Sequence, residues 1–284
     1  MTGDEMKRSL NGIEYHYIDP TGNITALVET QVAQEYQPEV AAAIMQAEHD
    51  CEQVGFLSNS DKCDIKLRMA AGEFCGNATM SAAAFYCDRT GLGINGARTV
   101  SVESSGCDKP VMVDITRLAD SGYDHTYNGS VYMPHHKRIV EHTLYYGNVE
   151  FRFPVVSFDG IMHIIAYAEK LGLSDAEAED ALKIWCRDLN AACLGLMLVS
   201  ADMSRGRTDD GMVPLGLRPL VYVPALGTCV WEKSCASGTT AVGAYFFDNG
   251  MDNVNGIYFT EPGGVLLATP AEDKRVILSG LVRL

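Results

Sequence analysis

Two of the nine cysteines, Cys75 and Cys235, each stand at the start of a run of small residues. Cys75 opens Cys-Gly-Asn-Ala-Thr and Cys235 opens Cys-Ala-Ser-Gly-Thr, each followed by an Ala-containing stretch and an aromatic pair. A thiol at the head of a helix lies beside backbone N–H groups without intrahelical partners, at the positive end of the helix dipole. That setting is expected to lower a thiol pKa and supply thiolate at neutral pH. One such thiol serves as a nucleophile or a redox sensor. Two that flank one carbon serve another reaction. One takes the proton from Cα while the other returns a proton to the opposite face, and the roles exchange with substrate handedness. Charge then builds on the substrate carboxylate. The backbone N–H groups around Gly76-Asn77 and Ala236-Ser237 are expected to hold it.

The elements that must position these thiols come as a repeat. The segments headed by Cys75 and Cys235 align without a gap at an offset of 160 residues, through Asp88 over Asp248 to Asn95-Gly96 over Asn255-Gly256. A strand-like approach, a turn and a helix of small residues recur in both, and such helices suit a buried, central position. β-rich segments surround each copy, among them residues 13–18, 99–103, 111–116, 149–156, 196–199, 220–223, 256–260, 265–268 and 275–282. An outer amphipathic helix precedes each cysteine. The first is expected over residues 38–53, with Pro38 in its first turn. The second is expected over 175–192, with Ser174-x-x-Glu177 as a capping box. The chain therefore reads as α/β (α+β), in two pseudo-symmetric halves that each wrap a curved sheet round a central helix. Residues 1–136 carry Cys75 and are joined by a C-terminal strand, 274–284; residues 137–273 carry Cys235. The halves are expected to meet with the two thiols facing each other. The polar stretch His135-His136-Lys137-Arg138 reads as a solvated linker.

Composition narrows the partners. The formal net charge is -15, from 22 basic and 37 acidic residues, and no Lys/Arg-rich run interrupts that balance. A nucleic-acid backbone or an anionic membrane surface is a poor match for it. The polar first residues and the lack of a long apolar stretch lead to the expectation of a cytoplasmic protein. There is no C-x-x-C pair and no H-x-x-x-H spacing, so a metal site is not expected, and the other cysteines read as small buried hydrophobes. The partner is then a small molecule.

Gly72-Glu73-Phe74-Cys75-Gly76-Asn77-Ala78-Thr79 and Glu232-Lys233-Ser234-Cys235-Ala236-Ser237-Gly238-Thr239 resemble the two active-site motifs of the diaminopimelate epimerase superfamily. Gly22-Asn23 matches an early Gly-Asn motif. Phe158 to His163 stands where a Gly-Asn-Pro-His element opens the second half, and Ser279-Gly280 resembles the start of the returning terminal strand. The resemblance implies an isomerase with two catalytic cysteines, no cofactor, a substrate cleft and often a homodimer. It also implies a substrate contact at Asn23. Departures bear on the substrate: Ala78 and Met80 replace a Gly and an Arg of diaminopimelate epimerases, and Ile161 replaces an Asn. A substrate with a distal charged group would leave that charge unpaired. Glu-Phe-Cys-Gly-Asn-Ala with Glu-Lys-Ser-Cys-x-Ser-Gly-Thr is closer to the histidine racemases of the superfamily. The substrate implied is histidine or a similar mono-carboxylate amino acid. Glu73 and Glu232 are candidates to orient the α-ammonium or an imidazole, or else are helix-start charges favoured by the dipole. Diaminopimelate epimerase is the alternative activity. An amino-acid-binding protein and a dithiol redox sensor are the alternatives of other classes.

Overall fold

The computed structural model describes residues 7–119, 125–201, 214–225, 227–251 and 255–284. They form two compact units, Met1–Met133 with Leu278–Leu284, and Pro134–Ile277. Among the described residues no helix is long and apolar enough to cross a membrane.

The first unit opens with a hairpin, β1 (Lys7–Leu10) and β2 (Ile13–Pro20), turned at Asn11-Gly12. Both turn residues have positive φ, 52° and 82°, as a two-residue hairpin turn of this hand requires. Then follow β3 (Thr25–Val28), α1 (Gln37–Ala47), β4 (Gln53–Ser58), β5 (Ile65–Met69), α2 (Gly76–Arg89), β6 (Ala97–Ser104), β7 (Val111–Arg117) and β8 (Thr126–Tyr132). β2 to β5 pair in order, with β3–β4 parallel. β5–β6 is parallel, and β6, β7 and β8 continue antiparallel. The C-terminal strand β17 (Val276–Arg283) pairs with both β8 and β2, so these eight strands close on themselves. Inside runs α2, packed against every strand from β2 to β8. Eleven of its fourteen residues are buried, which its Ala, Ser, Thr and Gly side chains permit by keeping the helix thin. Met80 fits over Gly129, where a Cβ would stand 3.3 Å from its side chain. At the far end of α2, Asp88 accepts from His125 Nδ1 and from the Tyr127 hydroxyl, both at 2.6 Å.

The second unit repeats this order of pairing. A hairpin, β9 (Arg138–Tyr146) and β10 (Val149–Ser157), is followed by β11 (Met162–Tyr167), the short α3 (Ala168–Leu171), α4 (Asp175–Asp188), β12 (Leu194–Ala201), β13 (Leu215–Val223), β14 (Thr228–Trp231), α5 (Ala236–Asp248), β15 (Ile257–Glu261) and β16 (Gly264–Pro270). β10–β11 is antiparallel, β11–β12 parallel and β12–β13 antiparallel. β13–β15 is parallel and β15–β16 antiparallel. The same alternation runs from β2 to β7. α5 packs on β10, β11, β12 and β16, and Gly243 lets it approach β16, where a Cβ would meet that of Ala268 at 2.9 Å. α4 covers β9, β12 and β13 with Leu182 and the wholly buried Trp185, whose indole N–H donates to the Tyr145 carbonyl at 2.9 Å.

Ser174 caps α4 with both bonds of the capping box. The outer helices are shorter than their apolar periodicity suggests. α1 ends at Ala47, because residues 51–53 leave it to lay β4 beside β3, with Glu52 N–H donating to the Ile24 carbonyl at 2.9 Å. α4 ends at Asp188, before Asn190 in the left-handed region at φ 50°. The stretch 135–138 is not simply a solvated linker. Lys137 N–H donates to the Ser157 carbonyl at 2.7 Å, Arg138 opens β9, and His136 Nε2 lies 3.5 Å from Asp248. Backbone pairing with β10 outweighs the polarity of these side chains.

Candidate functional site

In the first unit Cys75 is the N-cap of α2, in extended conformation, and its sulfur accepts from the Ala78 N–H at 3.4 Å. The thiol donates to Gln53 Oε1 at 2.9 Å. Gln53 Nε2 donates to Thr25 Oγ1 at 2.7 Å, and Thr25 Oγ1 donates to the Asn23 carbonyl at 3.0 Å. Thr25 and Gln53 are register partners at the start of the parallel pair β3–β4, so strand pairing sets this chain of bonds beneath the head of α2. The Asn23 side chain is buried and donates to Glu52 Oε2 at 2.7 Å. Its own oxygen, Oδ1, is buried without a hydrogen bond, as is Asn77 Oδ1 in the first turn of α2. Buried amide oxygens of this kind are costly unless a further donor reaches them. Gly76, at the first position of α2, is buried. Glu73 is exposed, and its carbonyl accepts from Ser105 Oγ at 2.6 Å.

In the second unit Cys235 is the N-cap of α5, also extended, and 6% exposed. Its sulfur lies 3.7 Å from Ser237 Oγ, and Ser237 Oγ lies 3.0 Å from His163 Nε2. His163 is wholly buried, and burial pushes its pKa down to about 3, so the ring is neutral. Ala236 is buried, and its carbonyl accepts from Thr240 Oγ1 at 2.7 Å. Beneath the helix head sits Glu261 of β15, a buried carboxyl that accepts the Cys235 N–H at 2.7 Å.

The thiolate expected from the helix start does not follow at Cys235. Burial pushes this thiol well above its usual pKa, and the charge of Glu232 adds to the shift. The thiol also hydrogen-bonds Glu232, while the Gly238 N–H acts in the opposite direction without closing a capping bond. The N-terminal dipole falls off within a turn and is outweighed by desolvation and the neighbouring Glu232. Glu232 stands beside Cys235, where its charge opposes ionisation of the thiol.

Gln53, Thr25 and Glu52 belong to the first constellation, Glu261 to the second, and none carries a sequence signal of its own. Gln53, Thr25 and Glu261 are supplied by strands, and Glu52 by the residue just before β4. His163 was visible as the end of the Phe158–His163 element, but its burial against Ser237 was not. Among the described residues no group of three His, Cys, Asp or Glu side chains could hold a metal ion.

A family model described as the histidine racemase CntK N-terminal domain matches residues 12–280. A histidine racemase of Staphylococcus aureus (strain Mu50) is 28% identical over 265 residues, covering 90% of this chain and 88% of the relative. A histidine racemase of Fusobacterium nucleatum subsp. nucleatum is 28% identical over 264 residues, covering 92% and 90%. The crystal structure of a probable proline racemase from Agrobacterium radiobacter K84 superposes with a TM-score of 0.62 at 11% identity, over 95% of this chain and 89% of that one. That likeness establishes a shared mixed α/β fold, rich in strands.

Proposed function

The chain belongs to the histidine racemase family, and from that premise we propose that it racemises histidine, or a similar mono-carboxylate amino acid, by a two-thiol exchange of the Cα proton without a cofactor. That it is an amino-acid isomerase follows from the family. The observation that carries the mechanistic reading is the repeated placement of Cys75 and Cys235 as N-caps of the two buried small-residue helices. One thiolate takes the Cα proton and one thiol returns a proton to the other face. Two thiols of opposite protonation suit both directions. The rest of the assignment is a diaminopimelate epimerase-like pair of halves, a cytoplasmic homodimer, and a carboxylate received at the helix heads near Gly76-Asn77 and Ala236-Ser237. Asn23, with its unsatisfied Oδ1, is the amide we assign to the substrate ammonium. The wholly buried Met80, in place of an Arg, argues against a second carboxylate on the substrate and so against diaminopimelate.

The test is L-histidine with the reduced protein in deuterium oxide, without added cofactor. Loss of chirality with deuterium at Cα is expected, and Cys75→Ala and Cys235→Ala should each abolish it. Full activity in both single variants would exclude the two-thiol mechanism.

A further inference from the structure

Three buried residues close a ring of hydrogen bonds at the head of α5. Cys235 N–H donates to Glu261 Oε2 at 2.7 Å, Glu261 Oε1 is hydrogen-bonded to Thr239 Oγ1, and Thr239 Oγ1 lies 2.9 Å from the Cys235 carbonyl. A threonine hydroxyl has one proton to give. If Glu261 is ionised, that proton faces two oxygens, the carboxylate and the Cys235 carbonyl, which already accepts the Thr239 N–H at 2.9 Å, and one of the two O···O contacts is left without a proton. If Glu261 is a carboxylic acid, the count closes. Glu261 then donates to Thr239, Thr239 to the Cys235 carbonyl, and the Cys235 N–H to the second oxygen of Glu261.

The first unit carries the same arrangement with a neutral group. Thr79 Oγ1 donates to the Cys75 carbonyl at 2.7 Å and lies 3.4 Å from Ser104 Oγ. Ser104 ends β6 as Glu261 ends β15, and each of these strands runs parallel to the one that precedes the central helix, apart from the short β14. A hydroxyl suffices there; a carboxylate anion in the second unit would set a full charge against a sulfur that has to become anionic.

We propose that Glu261 is the positioning residue of Cys235, a neutral carboxylic acid that fixes both backbone groups of the helix head and adds no second negative charge beside the sulfur. The proposal rests on Cys235 exchanging the Cα proton. Burial pushes the Glu261 pKa up to about 8, and Glu232 adds to the rise. The hydrogen bonds from Thr239 and the Cys235 N–H oppose it. Ser234, wholly buried, acts in the same sense without a hydrogen bond of good geometry. The titratable groups bearing on Glu261 are Glu232, from the turn after β14, and Cys235, from α5.

The experiment is a carbon-13 NMR titration of the reduced full-length protein, labelled at the glutamate side-chain carboxyl carbons, with Glu261→Gln identifying the signal. A resonance in the acid form at neutral pH that titrates near pH 8 supports the assignment. Titration in the ordinary carboxylate range overturns it. The pH dependence of kcat/KM gives the second readout. Glu261→Gln offers an N–H to Thr239 and a carbonyl to the Cys235 N–H, so activity within about threefold of wild type is expected, with the alkaline decline moved upward. Glu261→Ala should lose at least about tenfold. A Gln variant as impaired as the Ala variant would show that charge is required and would sink the proposal. The NMR titration needs no turnover. Failure to racemise histidine therefore counts against the functional reading, and an early-titrating carboxyl counts against Glu261.

Discussion

Cys75 donates its thiol proton to Gln53 Oε1 across 2.9 Å, from the head of α2 to the first residue of β4. A side-chain amide has a carbonyl for a thiol and an NH2 for a thiolate, so a flip of Gln53 serves both protonation states of one sulfur. Thr25, which now accepts from the Gln53 nitrogen, serves the flipped oxygen by turning its one hydroxyl proton away from the Asn23 carbonyl.

Gln53→Ala removes that adaptable partner. Turnover should fall about tenfold in both directions, the equivalent of one hydrogen bond to a charged group. Gln53→Glu should fall further at neutral pH, because a carboxylate there opposes thiolate formation. Deuterium wash-in from each histidine enantiomer measures both. Equal rates for wild type and Gln53→Ala would remove Gln53 from the site.

His163 makes the second unit acid-sensitive. Its folded pKa, about 3, lies below the usual 6.5, so the folded state binds fewer protons than the unfolded chain between those values. Stability from this group is full above pH 6.5 and is lost as the pH falls toward 3, by up to about 1.4 kcal/mol per pH unit. His163→Gln cannot take up that proton and should show a shallower acid slope in urea unfolding. Superimposable slopes would mean the ring is solvated.

Glu261 gives the opposite sign. Its folded pKa, about 8 against 4.5, means that the folded state keeps a proton the unfolded chain gives up. Stability from this group is full below pH 4.5 and declines as the pH rises through 8, by up to about 1.4 kcal/mol per unit. Relative to wild type, Glu261→Gln should therefore gain stability with rising pH across that window. A difference that does not change with pH would contradict this.

Gly195 on β12 is the floor of the His163 pocket. A Cβ there would stand 2.3 Å from His163 Nδ1 and 2.8 Å from Met197 Cε, so the ring must move. Gly195→Ala should cost about 1–3 kcal/mol by overpacking. It should also lower turnover if the His163–Ser237 bond orients the neighbourhood of Cys235. Chemical unfolding and turnover, measured on one preparation, report the two effects separately.

Local signals carried much of the architecture. A thiol followed by small residues marks a helix head because the first N–H groups need a cap and a thin helix can be buried; Cys75 and Cys235 both take the N-cap position, and Cys75 closes the side-chain bond. The Ser174–Glu177 capping box acts within four residues and is present in full. Asn11-Gly12 is a hairpin signal of equal strength, formed as β1–β2, although the apolar pattern alone marked only β2. The helix ends at Ala47 and Asp188 were not legible, since neighbouring strands and a left-handed Asn decided them.

Only the tertiary structure decided what surrounds each sulfur. Gln53 and Thr25 reach Cys75 because β3 and β4 pair in parallel, and Glu261 lies under Cys235 because β15 runs beside β13. The sequence by itself determined which two cysteines stand at the N-cap positions of the buried helices, through local turn chemistry and helix width. It could not determine how readily Cys235 loses its proton, because desolvation and the field of Glu232 depend on distances through space, which chain order does not encode.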